Sequence, residues 1–348
     1  MKIAIVNDMQ FAIEALRRII VSQQDHQLVW VAENGSEAVR KCADNKPDLI
    51  LMDIIMPIMN GVEATRVIME RTPCPILIVT SSVEGNASLV FQAMGAGALD
   101  AVKTPVLGIS GNVQGDISLI SKIHMIEKLT RGSSSGEYKK EPHSHRESRN
   151  DNGLLIAIGA STGGPSVLNE ILSRFPEDFP AAIAVIQHVD AHFALDLADW
   201  LNEQCAMDVG IINDGDHLTQ GRVMIAATND HLVLRSDMSF KYTPNPRELV
   251  YRPSVDVFFD SVTDYWGGKT IGVLLTGMGR DGAIGLLGLH EKGVHTIAQD
   301  EQTSAVYGMP KAAVALGAAS EILPSNKIAD KLIELVMAHH QKKRFNVL

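Results

Sequence analysis

The stretch LLIAIGASTGGPSVL, residues 154–168, decides how the second half of this chain is read. An apolar run reaches Gly159, Ser161 stands two residues on, and Gly163, Gly164 and Pro165 follow. That order predicts a buried strand, a sharp turn and a helix start, the last because proline suits the first helical turn. Two chemistries fit such a turn. Gly159-Ala-Ser161-Thr-Gly163 matches G-x-S-x-G, in which small neighbours let a serine sit on a strained bend with its hydroxyl exposed. The same glycines and helix N-terminus could instead cradle a phosphate. The stretch by itself leaves both open.

Working outward, the pattern repeats. AAIAVIQH (181–188), RVMIAAT (222–228), TIGVLLTG (270–277) and VHTIAQ (294–299) read as further buried parallel strands. Helices are expected from near Pro165, His192, Val255, Asp281 and Met309, with a last one from Asn326 to about His340. HLVLRSDMSFKYTP (231–244) reads as an antiparallel ribbon turning near Ser236 and Asp237. Upstream, Leu129–Gly153 is rich in Ser, Gly, Lys, Arg and Glu and nearly free of large apolar residues, so it reads as a mobile linker. Before it, KIAIVN, LVWVAE, DLILMD, PILIVTS and ALDAV alternate with four helical patterns. Five β units in about 120 residues predict a small doubly wound parallel sheet. The expected organisation is two α/β domains, residues 1–123 and 153–348, joined by a linker at 124–152.

Composition narrows the function classes. The chain has 348 residues, enough for two domains, and 45% hydrophobic residues, enough for real cores. Its net charge of -10 argues against a bulk grip on nucleic acid. Cys42, Cys74 and Cys205 lie far apart with no C-x-x-C pair, so a reducing cytoplasm is expected, with no zinc knuckle or disulfide framework. MKIAIVND meets an acid after a few apolar residues and reads as a first strand, not a signal peptide. No apolar run approaches the ~18 residues of a membrane span, so no stable membrane insertion is expected.

In open parallel sheets the loops at the C-terminal strand ends make the site. In the first half those ends carry Asn7 and Asp8, Asp53, Thr80 and Lys103. Two carboxylates, Asp8 and Asp53, could hold a hard divalent cation such as Mg²⁺. Asp53 could then attack a phosphoryl group whose oxygens meet Thr80 and Lys103. The plain alternative is that such acids cap the following helices.

In the second half Ser161, His188 and Asp281 each follow a buried strand, which allows a nucleophile, a base and an orienting acid to meet. Two rivals share these residues. His188, Asp190 and His192 alternate in HVDAH, as metal ligands could, although no H-E-x-x-H is present. Gly277-Met-Gly279-Arg-Asp-Gly282 is a formal G-x-G-x-x-G with Asp300 near the place of a ribose-binding acid. Against it, the motif follows a late strand and Asp281 would repel a pyrophosphate. His217, His231, His290 and His295 read as solvated or locally hydrogen-bonded, and His339 and His340 as cations suited to a helix C-terminus.

Two resemblances sharpen these readings. IVND, DLILMDIIMPIMNGVEA, ILIVTSS and AMGAGALDAVKTP resemble a response-regulator receiver domain over about residues 1–123. That resemblance implies a flavodoxin-like fold, phosphorylation of Asp53 by a sensor histidine kinase of the CheA type, and Mg²⁺ at Asp8 and Asp53. Two departures stand out. Asn7 replaces the first of the family's two acids, and Thr104 separates Lys103 from Pro105, which moves the lysine one place along an alternating strand. IGASTGGP, VIQH, DGDHLTQGRVMIAATNDHLVL, RPSVDVFF, LLTGMGRDGAIGL and AQDEQTSAVYGMPKAA resemble, in order, the Rossmann-like catalytic domain of chemotaxis-type protein-glutamate methylesterases, the CheB family. The resemblance implies a Ser161, His188, Asp281 triad, with Met278 and Thr162 supplying oxyanion N–H groups and no cofactor for hydrolysis. It further implies γ-methyl esters of glutamate on chemoreceptor helices as substrates, deamidation of receptor glutamines, and a receiver that restricts access until Asp53 is phosphorylated. Asn7 and the VKTP ending resemble the branch serving Wsp-type surface-sensing pathways.

Overall fold

The computed structural model describes residues 1–81, 87–107, 113–114, 116–130, 153–249 and 251–345. Most of the stretch read as a linker, residues 131–152, lies outside them. The chain divides into two compact units, Met1–Ser135 and Gly136–Leu348.

The first unit is built on β1 (Lys2–Val6), β2 (Gln27–Ala32), β3 (Leu49–Met52), β4 (Ile76–Thr80) and β5 (Asp100–Lys103), all parallel in the order β2-β1-β3-β4-β5. Helices α1 (Gln10–Ser22), α2 (Gly35–Asp44), α3 (Gly61–Arg71), α4 (Ala87–Gly95) and α5 (Asp116–Thr130) make the crossovers, and a short hairpin of β6 (Val106–Leu107) and β7 (Val113–Gln114) precedes α5. Strands β3 and β4 are buried throughout, because helices cover both faces of such a sheet. Asn34 and Asn60 cap α2 and α3 by accepting the Glu37 and Glu63 N–H groups. Helix α5 runs past residue 123 to Thr130. Its Leu119, Ile123 and Ile126 are buried at helical spacing, and Lys122 pairs with Asp100 of β5.

The second unit holds seven parallel strands in the order β10-β11-β9-β8-β14-β15-β16. They are β8 (Leu154–Ala160), β9 (Ala182–Gln187), β10 (Asp208–Ile211), β11 (Arg222–Ile225), β14 (Lys269–Leu274), β15 (His295–Gln299) and β16 (Glu321–Leu323). The intervening helices are α6 (Gly164–Leu172), α7 (Ala191–Gln204), α8 (Val255–Tyr265), α9 (Ala283–Glu291), α10 (Met309–Ala315) and α11 (Ser325–Phe345). The antiparallel ribbon is present as β12 (His231–Leu234) and β13 (Phe240–Thr243). The edge strands β10 and β16 extend the five strands read from the sequence. Among the described residues no helix is long and apolar enough to cross a membrane.

Strand β8 is the centre of this sheet. The chain leaves it on one side to β9 and returns on the other at β14, so its C-terminal end is a topological switch point, where open sheets leave a crevice. Helix α9 begins at Ala283, not at Asp281, because Gly282 adopts the left-handed conformation (φ 85°) as its N-cap. Asp281 is thereby released into the loop above the sheet. Helices α8 and α9 cross at Gly285, where a Cβ would lie 2.7 Å from Phe259 Cβ and 3.0 Å from the Asp256 carbonyl. Replacing Gly285 by alanine is expected to destabilise the fold by about 1–3 kcal/mol through overpacking, read from urea unfolding.

Candidate functional site

At the switch point the polar groups of the opening turn are already committed. Ser161 N–H donates to the Thr276 carbonyl (3.0 Å), Gly164 N–H donates to the Ser161 carbonyl (2.8 Å), and Pro165 has no N–H to offer. A phosphate cradle needs several free N–H groups converging on one point, and this turn has spent one on the Thr276 carbonyl and one on its own backbone. The Ser161 hydroxyl makes no hydrogen bond among the described residues. Gln187, fully buried, clamps the turn from β9: its amide donates to the carbonyls of Ser161 (2.8 Å) and His188 (3.2 Å).

Neighbouring strands bring the next group. Ala160 pairs with Gln187 across β8 and β9, and His188 N–H donates to the Ala160 carbonyl (2.9 Å), so the residues after both strands lie side by side. His188 Nε2 meets Asp281 Oδ2 at 2.7 Å, with both side chains 8% exposed. Its Nδ1 is buried without a hydrogen-bond partner among the described residues. A neutral imidazole that donates from Nε2 to a carboxylate leaves Nδ1 as the acceptor, the form a general base needs. One ring face is covered by Tyr251, whose ring stacks at a centroid distance of 4.3 Å and an angle of 7°.

Asp281 is held by the N-terminus of α8. Ser254 Oγ donates to its Oδ1 (2.7 Å), Val255 N–H to its Oδ2 (2.7 Å) and Asp256 N–H to its Oδ1 (3.2 Å). Burial alone would push this carboxyl up. The bond and charge of His188, with those from Ser254 and Val255, outweigh burial and hold it below the usual carboxylate range. Sequence reasoning missed Ser254, although a serine directly before an apolar helical run is an N-cap signal. It also missed Tyr251 and Gln187, which carry no motif. His231, read as solvated or locally bonded, is fully buried at the start of β12, where its Nδ1 accepts the Ser254 N–H (3.1 Å).

The rival readings lose their geometry. In the G-x-G-x-x-G stretch a Cβ at Gly277 would overlap Met309 Sδ and lie 2.7 Å from Ser161 Cβ. One at Gly279 would lie 2.7 Å from the Tyr251 hydroxyl, and one at Gly282 2.6 Å from Leu274. The glycines admit the protein's own side chains and leave no berth for a pyrophosphate. Asp300 is spent on its own loop, accepting from Thr303 N–H (3.0 Å) and hydroxyl (2.6 Å). Among the described residues no three His, Cys, Asp or Glu side chains converge as metal ligands, and the His192 side chain lies outside them.

In the first unit, Asp53 N–H donates to the Val6 carbonyl (2.9 Å), which sets the ends of β1 and β3 together. Asn7 then donates from its amide to Asp53 Oδ2 (3.0 Å) and accepts the Met9 N–H on its carbonyl (2.8 Å). Both partners dictate that orientation, and it leaves the acids of the site as Asp53, buried, and Asp8, exposed. Burial pushes the Asp53 carboxyl up to about 6, and the Asp8 charge adds to the rise against bonds from the Ile54 N–H and Asn7. Thr80 is buried at the end of β4 and pairs with Lys103 across the sheet. Lys103 is exposed, with no hydrogen bond or ion pair among the described residues, whereas Thr104 turns inward and is buried. The lysine is thus not brought onto Asp53, in keeping with strand alternation.

Comparisons with known proteins bear on both units. Residues 156–332 match the family described as CheB methylesterase and residues 3–107 that described as response regulator receiver domain. A Burkholderia thailandensis protein named protein-glutamate methylesterase/protein-glutamine glutaminase 4 is 53% identical over 346 residues, 99% of this chain and 100% of its own. A Mesorhizobium japonicum protein named protein-glutamate methylesterase/protein-glutamine glutaminase is 50% identical, over 96% of this chain and 98% of its own. The crystal structure of the Thermotoga maritima CheB methylesterase catalytic domain is 37% identical, covers 53% of this chain and 98% of its own, and has a TM-score of 0.49.

The Asp53 carboxyl should titrate near pH 6 in a carbon-detected NMR titration without divalent metal. Asp8→Asn, which removes the neighbouring charge, should lower that midpoint. A midpoint that did not move would show that Asp8 exerts no field at Asp53.

Proposed function

Because the chain belongs to the CheB methylesterase family, we propose that Ser161 is the nucleophile, His188 the base and Asp281 the orienting acid of its ester hydrolysis. The observation that carries this is the state of His188. Its ring is fixed through Nε2 by a buried carboxylate, its Nδ1 is open, and it sits at the strand end beside that of Ser161. His188 Nδ1 takes the Ser161 proton as Oγ attacks the carbonyl carbon. Asp281 stabilises the imidazolium that forms, and its carboxyl, held below the usual carboxylate range, stays ionised for that task. Met278 N–H, with no hydrogen bond among the described residues and next to the Gly277 Cα that presses on Ser161, is placed to receive the developing oxyanion, together with Thr162. His188 returns its proton to the leaving group, methanol from an ester or ammonia from an amide. Water, activated by the same nitrogen, then frees the carboxylate.

The substrates of this reading are glutamate γ-methyl esters and glutamine amides on the helices of methyl-accepting chemoreceptors, reached from the cytoplasm. A CheA-type histidine kinase supplies the phosphoryl group to Asp53, which switches the hydrolase on. Asp8 and Asp53 would hold Mg²⁺: the donor set is hard oxygen, and a divalent cation offsets both the burial that raises Asp53 and the Asp8 charge that adds to it. Bound there, the ion would neutralise charge on the incoming phosphoryl oxygens. Asn7 orients Asp53 and adds no charge.

Ser161→Ala should abolish methanol release from methylated receptor membranes, and retention of most of the activity would remove Ser161 as nucleophile. The parent chain should release methanol faster with acetyl phosphate and Mg²⁺, whereas Asp53→Asn should show no response. An equal response from both chains would rule out switching through Asp53.

A further inference from the structure

Tyr251 touches both halves of the hydrolytic machinery. It lies just ahead of α8 and is 8% exposed, so its position is set by packing on several sides. Its ring lies flat on the His188 imidazole. Its hydroxyl donates to the Met278 carbonyl (3.2 Å). The loop can approach that hydroxyl only because residue 279 is glycine, with φ of 87° and no Cβ to meet the oxygen.

Each contact answers a mechanical need. Asp281 holds the imidazole at one atom, Nε2, and a ring held at one atom can still tilt. A parallel aromatic face removes that freedom. It also favours the charged ring over the neutral one, because the negative face of an aromatic attracts a cation. The imidazolium exists only once Ser161 has lost its proton, so this attraction acts on the transition state more than on the resting enzyme. The Met278 carbonyl contact works on the other side. Gly277 is pressed against Ser161 and Met309, and Tyr251 fixes the peptide that follows Met278. The Met278 N–H is therefore clamped from both directions.

Resting on the Ser161 nucleophile reading, we propose that Tyr251 is a positioning residue for hydrolysis, its ring setting the plane of the His188 imidazole and its hydroxyl setting the Met278 peptide on the oxyanion side of Ser161.

The test uses the full-length chain and a rhodamine-tagged fluorophosphonate. Ser161 Oγ forms the bond to phosphorus, fluoride leaves with the bonding pair, and the hydroxyl proton passes to His188. The parent should be labelled on Ser161 by mass spectrometry and Ser161→Ala should not; absence of labelling in the parent would overturn the nucleophile reading itself. Tyr251→Phe keeps the ring and should slow the maximal labelling rate about threefold, with the half-saturating probe concentration unchanged. Tyr251→Leu loses both contacts and should slow it about thirtyfold or more. The low-field proton of the His188–Asp281 hydrogen bond, seen by NMR, should persist in the Phe variant and broaden in the Leu variant. A folded Tyr251→Leu chain labelled at the parent rate, with that proton intact, would reduce Tyr251 to packing. Should the Leu variant not fold, Tyr251→Phe decides: a parent rate there would overturn the proposal.

Discussion

A carboxylate almost out of reach of water organises the second unit. Asp281 is ionised where its desolvation is costly, and a charge in that position is tolerated only when donors surround it. The N-terminus of α8 provides them through the Ser254 hydroxyl and two backbone N–H groups, and His188 completes the set. The rest of the site follows. Helix α8 must stand against α9, which the missing side chain at Gly285 allows, and α9 must start late enough to leave Asp281 in the loop. Nearby groups are kept from adding a second charge. Burial, with the field of Asp281, pushes the Asp256 carboxyl well above its ordinary range, and its Oδ1 accepts the Gly285 N–H (2.7 Å). Burial likewise lowers His231, whose neutral ring accepts from Ser254 and donates to the Pro246 carbonyl (3.0 Å).

The first unit treats a strand-end aspartate in the opposite way. Asp53 is also buried, but the bonds from the Ile54 N–H (2.7 Å), the Ile55 N–H and Asn7 do not offset that burial, and Asp8 stands near it. Its carboxyl is therefore raised where that of Asp281 is lowered. The same chemical group is stabilised as an anion beside an imidazole and a helix N-terminus, and left under-compensated beside a second carboxylate. Asn7 in place of an acid lessens the crowding of negative charge around Asp53 and ties its orientation to the start of α1 through Met9.

Much of the architecture was legible as alternation. Apolar runs such as Leu154–Ala160 and Ala182–Gln187 must be covered on both faces, and that requirement predicts a parallel sheet with helices on either side. What escaped was short or lacked a pattern. β10 and β16 are edge strands of four and three residues, with too little repetition to announce themselves. No helix was read directly after ALDAV, and α5 crosses the boundary expected at residue 123. Ser161, His188 and Asp281 stand out in the sequence as candidates because each follows a buried run. Gln187 and Tyr251 were not, because their work depends on neighbours far away in the chain: Gln187 reaches back 26 residues to Ser161, and Tyr251 forward 27 residues to Met278.

By itself, the sequence determined the two α/β units, the strand ends on which chemistry could stand, and the glycines that permit sharp turns. These follow from local periodicity and from backbone conformations open to few residue types. Only the tertiary structure decided which groups of the turn at Ser161 are already engaged. Its Ser161 and Gly164 N–H groups go to the Thr276 and Ser161 carbonyls, and Cβ atoms in the glycine-rich loop after β14 would meet Met309, Tyr251 and Leu274. Hydrogen bonds and volumes of that kind are set by strand order and register. Placing β8 between β9 and β14 commits those N–H groups and sets the strand ends that carry Ser161 and His188 side by side.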